Sequence, residues 1–100
     1  MAKYTNVVRF KVKDGKQKEF EEILDSSQML EGQVLHILAK TGNQSYVAYG
    51  LWESEGSMVA ARPQMISLLD SARHLLEELC PDLGVTDPVS GTVISEKSLG

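Results

Sequence analysis

Two side chains in this 100-residue sequence could carry out proton or charge chemistry on a small ligand. His36 lies in an alternating stretch with apolar neighbours, where a partly buried imidazole could act as a base or proton shuttle. Arg62 directly precedes Pro63, where freed backbone groups could open a pocket and the guanidinium could stabilise an anion. Both positions also fit structural roles: a packing histidine at a subunit interface and an arginine in a surface or interface ion pair.

Four further residues are candidates for contacting a ligand. Asn6 is expected among the few polar groups of an apolar pocket, and Met65 among its apolar walls. Trp52, at the end of an alternating aromatic stretch, could stack on an aromatic ring, although it could equally fill core space and donate its indole N–H. Tyr46 and Tyr49 point to opposite faces of that stretch, so at most one lines a given pocket; Tyr49 is the candidate.

Several classes of protein are excluded by what the sequence lacks. It has no G-x-S-x-G motif and no glycine-rich phosphate loop. His36, His74 and Cys80 lie on different elements or faces, so no pair has metal-ligand spacing, and we expect neither a metal nor another cofactor. A net charge of −4 argues against a nucleic-acid partner, because phosphate binding needs a basic surface.

The composition predicts one soluble domain over residues 1–100. Hydrophobic residues make up 42% and charged residues 24% of the chain, as in ordinary globular proteins. The apolar runs are far shorter than the roughly 20 residues that span a bilayer, and no secretory leader is recognisable. A single cysteine, Cys80, cannot form an internal disulfide. We therefore expect a cytoplasmic protein without membrane association.

The periodicity of the first half predicts strand, helix and hairpin. Residues 4–12 alternate like a strand, Asp14-Gly15 turns the chain, and helical spacing begins at Lys16. Gly32 ends the helical region. Strands over about 33–41 and 44–53 then form a hairpin around Thr41-Gly42-Asn43.

The second half predicts a helix and a last strand. Ser54 is a candidate N-cap, and Pro63 predicts a break that divides the helix into residues 55–61 and 63–79. A strand over 85–95, with a turn or bulge at Asp87-Pro88 and Gly91, would complete the order β-α-β-β-α-β. The fold is thus predicted as α+β, ferredoxin-like, with a four-stranded antiparallel sheet. We expect the tail, 96–100, to be frayed.

The predicted sheet is apolar on both faces, whereas two helices cover only one. Strand two, for example, offers Leu35 and Ile37 on one face and His36 and Leu38 on the other. Since the chain has no further element to cover the second face, we expect a homodimer in which two sheets face each other as a dimeric α/β barrel.

These features resemble the antibiotic biosynthesis monooxygenase family of dimeric α/β-barrel proteins. The resemblance spans about residues 5–95 and rests on Asp14-Gly15 after strand one, Phe20 in the first helix, Gly32 before the hairpin and the strand ending in Trp52-Glu53-Ser54. It implies a ligand site between the sheet and the helices of each subunit. Some members of the family oxidise phenols or quinols with dioxygen and no cofactor, some degrade haem, and others have no known activity.

Departures from the family narrow the expected function. Haem-degrading members use an asparagine in strand one and a tryptophan and a histidine in the second helix. In this chain Asn6 falls two residues early when aligned through Gly15, Trp52 is in a strand, and His74 lies off the apolar stripe. The histidine-containing stretch of many other members is replaced by residues 60–63. We therefore expect a cofactor-independent monooxygenase of a small phenol or quinol, or alternatively a non-catalytic binding or regulatory protein.

Overall fold

The computed structural model describes residues 2–98 and contains four strands and two helices in the predicted order. Met1, Leu99 and Gly100 lie outside the described residues, so the end of the predicted frayed tail does too. The elements are β1 (Tyr4–Lys11), α1 (Gln17–Asp25), β2 (Gln33–Lys40), β3 (Ser45–Trp52), α2 (Glu55–Ala72) and β4 (Asp87–Thr92).

The strands form one antiparallel sheet in the order β2-β3-β1-β4, which confirms the predicted ferredoxin-like fold. Both helices lie on one face. That face carries the even-numbered residues of β1 and β3, because side chains alternate along a strand. The core consequently forms between this face and the helices. Phe20 of α1 packs against Phe10 and Tyr46, with ring centroids 5.6 and 5.1 Å apart.

The other sheet face is left without a covering element in the described chain. Leu35 and Ile37 on β2 are 41% and 47% exposed, and Val89 on β4 is 62% exposed. Val7, Val47 and Tyr49 lie on the same face and are half-buried. All four strands therefore contribute apolar side chains to the uncovered face, as predicted.

Gly32 links α1 to the hairpin in a conformation that favours glycine. Its φ is +81°, and a Cβ there would lie 2.6 Å from the Cβ of Ser57 on α2. Strand β3 ends close by, since Glu53 N–H, directly after that strand, donates to the carbonyl oxygen of Gly32 at 2.8 Å. This glycine lets the loop pass under the first turn of α2.

Helix α2 begins as predicted and continues through Pro63, so the predicted break is wrong. The Ser54 side chain accepts a hydrogen bond from Ser57 N–H at 3.2 Å, which confirms the N-cap. Pro63 is exposed and Ala61 is buried, so the backbone group that the proline ring frees faces water while the buried stripe stays intact. Packing of both halves onto one sheet outweighs the local cost of the proline.

The predicted end of this helix at residue 79 is also wrong. A 3-10 turn at Arg73–Leu75 follows Ala72, and the chain then becomes extended. Lys13 N–H donates to the Leu75 carbonyl, and Glu77 N–H donates to the Lys11 carbonyl. Leu75 and Leu76 are both buried in this arrangement. Pairing with the end of β1 therefore replaces the last helical turns.

Strand β4 pairs regularly with β1, so no turn or bulge interrupts it at Pro88 or Gly91. Pro88 lies opposite Val8. Because β4 is an edge strand, it needs backbone donors on one side only, and this position tolerates a residue without an N–H. Beyond β4, Lys3 Nζ lies 2.9 Å from a carboxylate oxygen of Glu96.

Replacing Pro63 with alanine should stabilise the protein by about 1–3 kcal/mol, because a helix interior regains a hydrogen bond and loses a steric conflict. The free energy of unfolding in urea measures this effect. Gln64→Ala, at the neighbouring exposed position, is the control and should change stability little. A loss of stability in Pro63→Ala would instead indicate that Pro63 begins a separate helix.

Candidate functional site

A large cleft lies between the helices and the sheet face that they cover. Its volume is about 1530 Å³, and β1, β2, β3 and both helices contribute to its walls. The alternate residues of β3 form its floor in the size order large, small, small, large: Tyr46, Ala48, Gly50 and Trp52. Since the two small residues lie between two buried aromatic ones, the helices cannot fill the middle of this face.

Two predicted site residues, His36 and Asn6, flank Gly50 across the sheet. Gly50 is the register partner of Asn6 on β1 and of His36 on β2. Adjacent strands are about 4.8 Å apart, so the backbones of His36 and Asn6 are separated by roughly 10 Å. The structure thus brings a potential base and a polar amide to the same level of the cleft.

Asn6 is held in one orientation by Trp52. Trp52 Nε1–H donates to Asn6 Oδ1 at 2.7 Å. An indole nitrogen can only donate, so the amide oxygen must face the indole and the Nδ2 group must face away. Within residues 2–98, the one hydrogen-bond acceptor for the Asn6 Nδ2 group is the thioether sulfur of Met65, a weak acceptor at 3.9 Å. The amide therefore presents a weakly satisfied donor within the cleft.

Trp52 borders the cleft but is fully buried, packed with Met58, Ala61 and Met65. Because its side chain has no exposed surface, the indole offers no face on which a ligand ring could stack in this structure. Its observed contacts are those of a core residue whose indole N–H fixes Asn6.

His36 borders the cleft and is half-buried. Burial lowers the pKa of its imidazole below the usual 6.5, because desolvation disfavours the charged form. Among residues 2–98 the His36 side chain has no hydrogen-bond or ion-pair partner. Neutral imidazole with a free nitrogen is the form that can accept a proton near neutral pH.

Arg62 and Arg73 differ in their surroundings. Arg73 pairs with Asp70 one turn earlier, at 3.1 Å. Arg62 is exposed, borders the cleft and has no acidic partner within the described part of the chain. Its guanidinium is therefore available to an anionic ligand group, although the helix break expected to position it is not present.

The structure does not bring Tyr49 into this cleft. Its register partners, Val7 and Ile37, lie with it on the uncovered sheet face. Tyr46 takes a place in the cleft instead, at the end of the floor opposite Trp52. Alternation along β3 had already separated the two tyrosines, but it could not decide which face the helices cover.

A polar cluster around Tyr46 was not predicted from the sequence. The Tyr46 hydroxyl donates to the Glu21 carboxylate, and Lys40 Nζ lies 3.8 Å from the same carboxylate. Burial, the hydrogen bond and the negative charge of Glu21 together raise the pKa of Tyr46 to about 12. The three groups satisfy one another, and the residues lie far apart in sequence, so periodicity alone gave no signal for them.

Neither a metal centre nor a transmembrane helix is found in the described chain. Within residues 2–98 no three His, Cys, Asp or Glu side chains form a cluster that could hold a metal ion. No described helix is long and apolar enough to span a membrane.

No protein-family model matches the sequence, and no curated protein gives a significant match. Solved structures do match over nearly the whole chain. SnoaB, a cofactor-independent oxygenase from Streptomyces nogalater solved as a mutant, is 22% identical; the match covers 99% of this chain and 98% of SnoaB, with a TM-score of 0.70.

Two further structures show the same fold. The ActVA-Orf6 monooxygenase of Streptomyces coelicolor, in complex with Nanaomycin D, is 18% identical (99% and 94% coverage, TM-score 0.73). A dimeric ferredoxin-like protein from an uncultured marine organism is 13% identical (100% and 95% coverage, TM-score 0.74). The expected resemblance in fold to antibiotic biosynthesis monooxygenases is confirmed, since further matching structures are described by that family's name.

Proposed function

We propose that this protein is a cofactor-independent monooxygenase that oxidises a small electron-rich aromatic, a phenol or quinol, with dioxygen. The observation that carries the proposal is the cleft in which a neutral His36, an oriented Asn6 amide and an unpaired Arg62 border an apolar volume. The shared fold with a cofactor-independent oxygenase supports it.

The chemistry suits a protein that supplies no redox centre of its own. A phenol that has lost its proton can transfer electrons to dioxygen directly. A C–O bond then forms at a ring carbon, and the resulting hydroperoxide loses water to leave a quinone. The phenol loses two hydrogens, one oxygen atom of dioxygen enters the product, and the other leaves as water, so atoms and electrons balance.

Each polar group of the cleft has a role in this scheme. His36 removes the phenol proton, directly or through a water molecule, because its neutral form is favoured. Arg62 stabilises the phenolate, and Asn6 Nδ2 donates a hydrogen bond to the ligand oxygen in place of its weak contact with Met65. Trp52 acts on the ligand through Asn6. The apolar walls orient the ring and exclude water.

Non-catalytic ligand binding is the second candidate function. Arg62 is exposed, and the family's histidine-containing stretch is replaced by residues 60–63, so the same cleft could hold a ligand without activating it. A sensor of this kind would bind phenols and consume no oxygen.

For either function, the expected compartment is the reducing cytoplasm, because Cys80 is a free cysteine.

Oxygen uptake by the metal-free protein with a panel of quinols tests the oxygenase proposal. We expect uptake above the buffer rate, and a decrease of about ten- to a hundredfold in Arg62→Ala, because a charge-assisted hydrogen bond to the phenolate is lost. Arg73→Ala is the matched control, since Arg73 pairs with Asp70. Uptake at the buffer rate across the panel would favour the binding function.

The pH dependence of the reaction tests the role of His36. Below its pKa the imidazole is protonated and cannot accept a proton, so kcat/KM should fall on the acid side with an inflection below pH 6.5. His36→Gln should remove this acid limb and lower the plateau. His74→Gln is the control, because His74 is exposed and contacts Glu19. An unchanged profile in His36→Gln would exclude His36 as the base.

We further propose that the protein is a homodimer in which the uncovered sheet faces pack against each other. The exposed apolar residues of this face, including Leu35, Ile37 and Val89, support a partner of the same chemistry. A solved structure of the same fold is described as dimeric, which supports a dimer here. Packing of this kind would stabilise the sheet that forms the cleft floor.

Sedimentation equilibrium at micromolar concentration should give twice the chain mass of 11.0 kDa. Ile37→Glu should shift the protein towards monomer, since it buries a carboxylate in an apolar interface. Val59→Glu is a matched control because Val59 has similar exposure, 44% against 47%, but lies on α2. A stable monomer in the unaltered protein would contradict the dimer.

A further inference from the structure

Gly50 occupies a position where the backbone itself does not need glycine. It lies inside β3, a central strand, with regular partners on both sides. The glycines with positive φ are at 15, 32 and 84, so Gly50 has a conformation that any residue can adopt. Glycine in a strand interior lowers stability, and a requirement for space is the usual reason for it.

The space above Gly50 is occupied by the Asn6 side chain. A Cβ at position 50 would overlap Asn6 Oδ1 and lie 2.9 Å from Trp52 Nε1. Asn6 therefore reaches across the missing side chain to the indole two residues further along β3. On the uncovered face of the sheet, Thr5 Oγ1 donates to the Gly50 carbonyl at 2.9 Å. This hydrogen bond helps to hold the Gly50 backbone in place.

The hydrogen bond that this space permits determines which end of the Asn6 amide is available. Without the indole, the amide could turn and present its oxygen to the cleft. With it, Oδ1 is engaged at 2.7 Å and only Nδ2 remains, next to the Met65 sulfur. The cleft thereby offers a hydrogen-bond donor and no competing amide acceptor at this point.

We propose that Gly50 is a positioning residue: its missing side chain fixes Asn6 through Trp52 and so makes the cleft selective for ligands with an acceptor oxygen, a phenolate or carbonyl. This proposal rests on the proposed use of the cleft for aromatic ligands. It concerns binding and holds whether or not the bound ligand reacts with oxygen.

The test uses 4-(trifluoromethyl)phenol, which is too electron-poor to be oxidised, and (trifluoromethyl)benzene, which lacks the oxygen. Fluorine NMR titration gives the affinity of each. Gly50→Ala should weaken phenol binding by about tenfold, the value of one hydrogen bond, and leave the benzene analogue unchanged. Gly42→Ala, in the β2–β3 turn, has ordinary contacts and should change neither affinity.

A double-mutant cycle separates positioning from a direct effect of bulk. Asn6→Ala should weaken phenol binding as much as Gly50→Ala does. The combined variant should be no weaker than either, because Gly50 acts through Asn6. The indole N–H resonance of Trp52, the sole tryptophan, should shift in Gly50→Ala as its hydrogen bond is lost.

If Gly50→Ala fails to fold, Trp52→Phe removes the indole donor while keeping an aromatic core residue, and should lose the same preference for the phenol. Phenol affinity unchanged in Gly50→Ala or Trp52→Phe, or effects that multiply in the combined variant, would overturn the proposal. So would failure of the unaltered protein to bind the phenol. Absence of oxygen uptake with quinols would overturn only the oxygenase function.

Discussion

The constraint on which this structure depends is that two helices cover one face of a four-stranded sheet. Apolar side chains on that face become the core, through contacts such as Phe20 with Phe10 and Tyr46. On the other face, apolar side chains such as Leu35, Ile37 and Val89 stay exposed. The same sequence alternation therefore produces a closed interior on one side and an interaction surface on the other. The cleft and the proposed dimer are consequences of one arrangement.

The sizes of the side chains along β3 decide where the covered face stays open. Tyr46 and Trp52 support the helices near the two ends of the strand, and Ala48 and Gly50 leave room between them. Both aromatic residues also orient a polar neighbour through a hydrogen bond: the Tyr46 hydroxyl donates to Glu21, and the Trp52 indole N–H donates to Asn6. Packing and polarity are thus coupled, because each bulky residue that shapes the cleft also determines a hydrogen bond at its boundary.

Much of the fold could be predicted from the sequence, because strand alternation, glycine turns and the Ser54 cap are local signals. The errors lie where distant contacts override local ones. Pro63 signals a helix break, but packing on both sides of it preserves α2. The apolar stripe continues to Leu79, but pairing with β1 ends the helix early. Asn6, His36, Arg62 and Met65 all border the cleft, and their role there stays a prediction. Tyr49 was not brought to them, because periodicity does not say which face is covered.

The absence of a recognisable catalytic motif follows from the kind of site that the fold builds. His36, Asn6 and Arg62 come from β2, β1 and α2, and each has a spacing ordinary for its element. The register of the sheet, with Gly50 between them, brings His36 and Asn6 to one level, and Arg62 borders the same cleft. Where a substrate supplies its own electrons, a protein needs few groups: a base, a cation and an oriented donor. Such a set is specified by the geometry of the sheet, so it becomes visible only when the strands are paired.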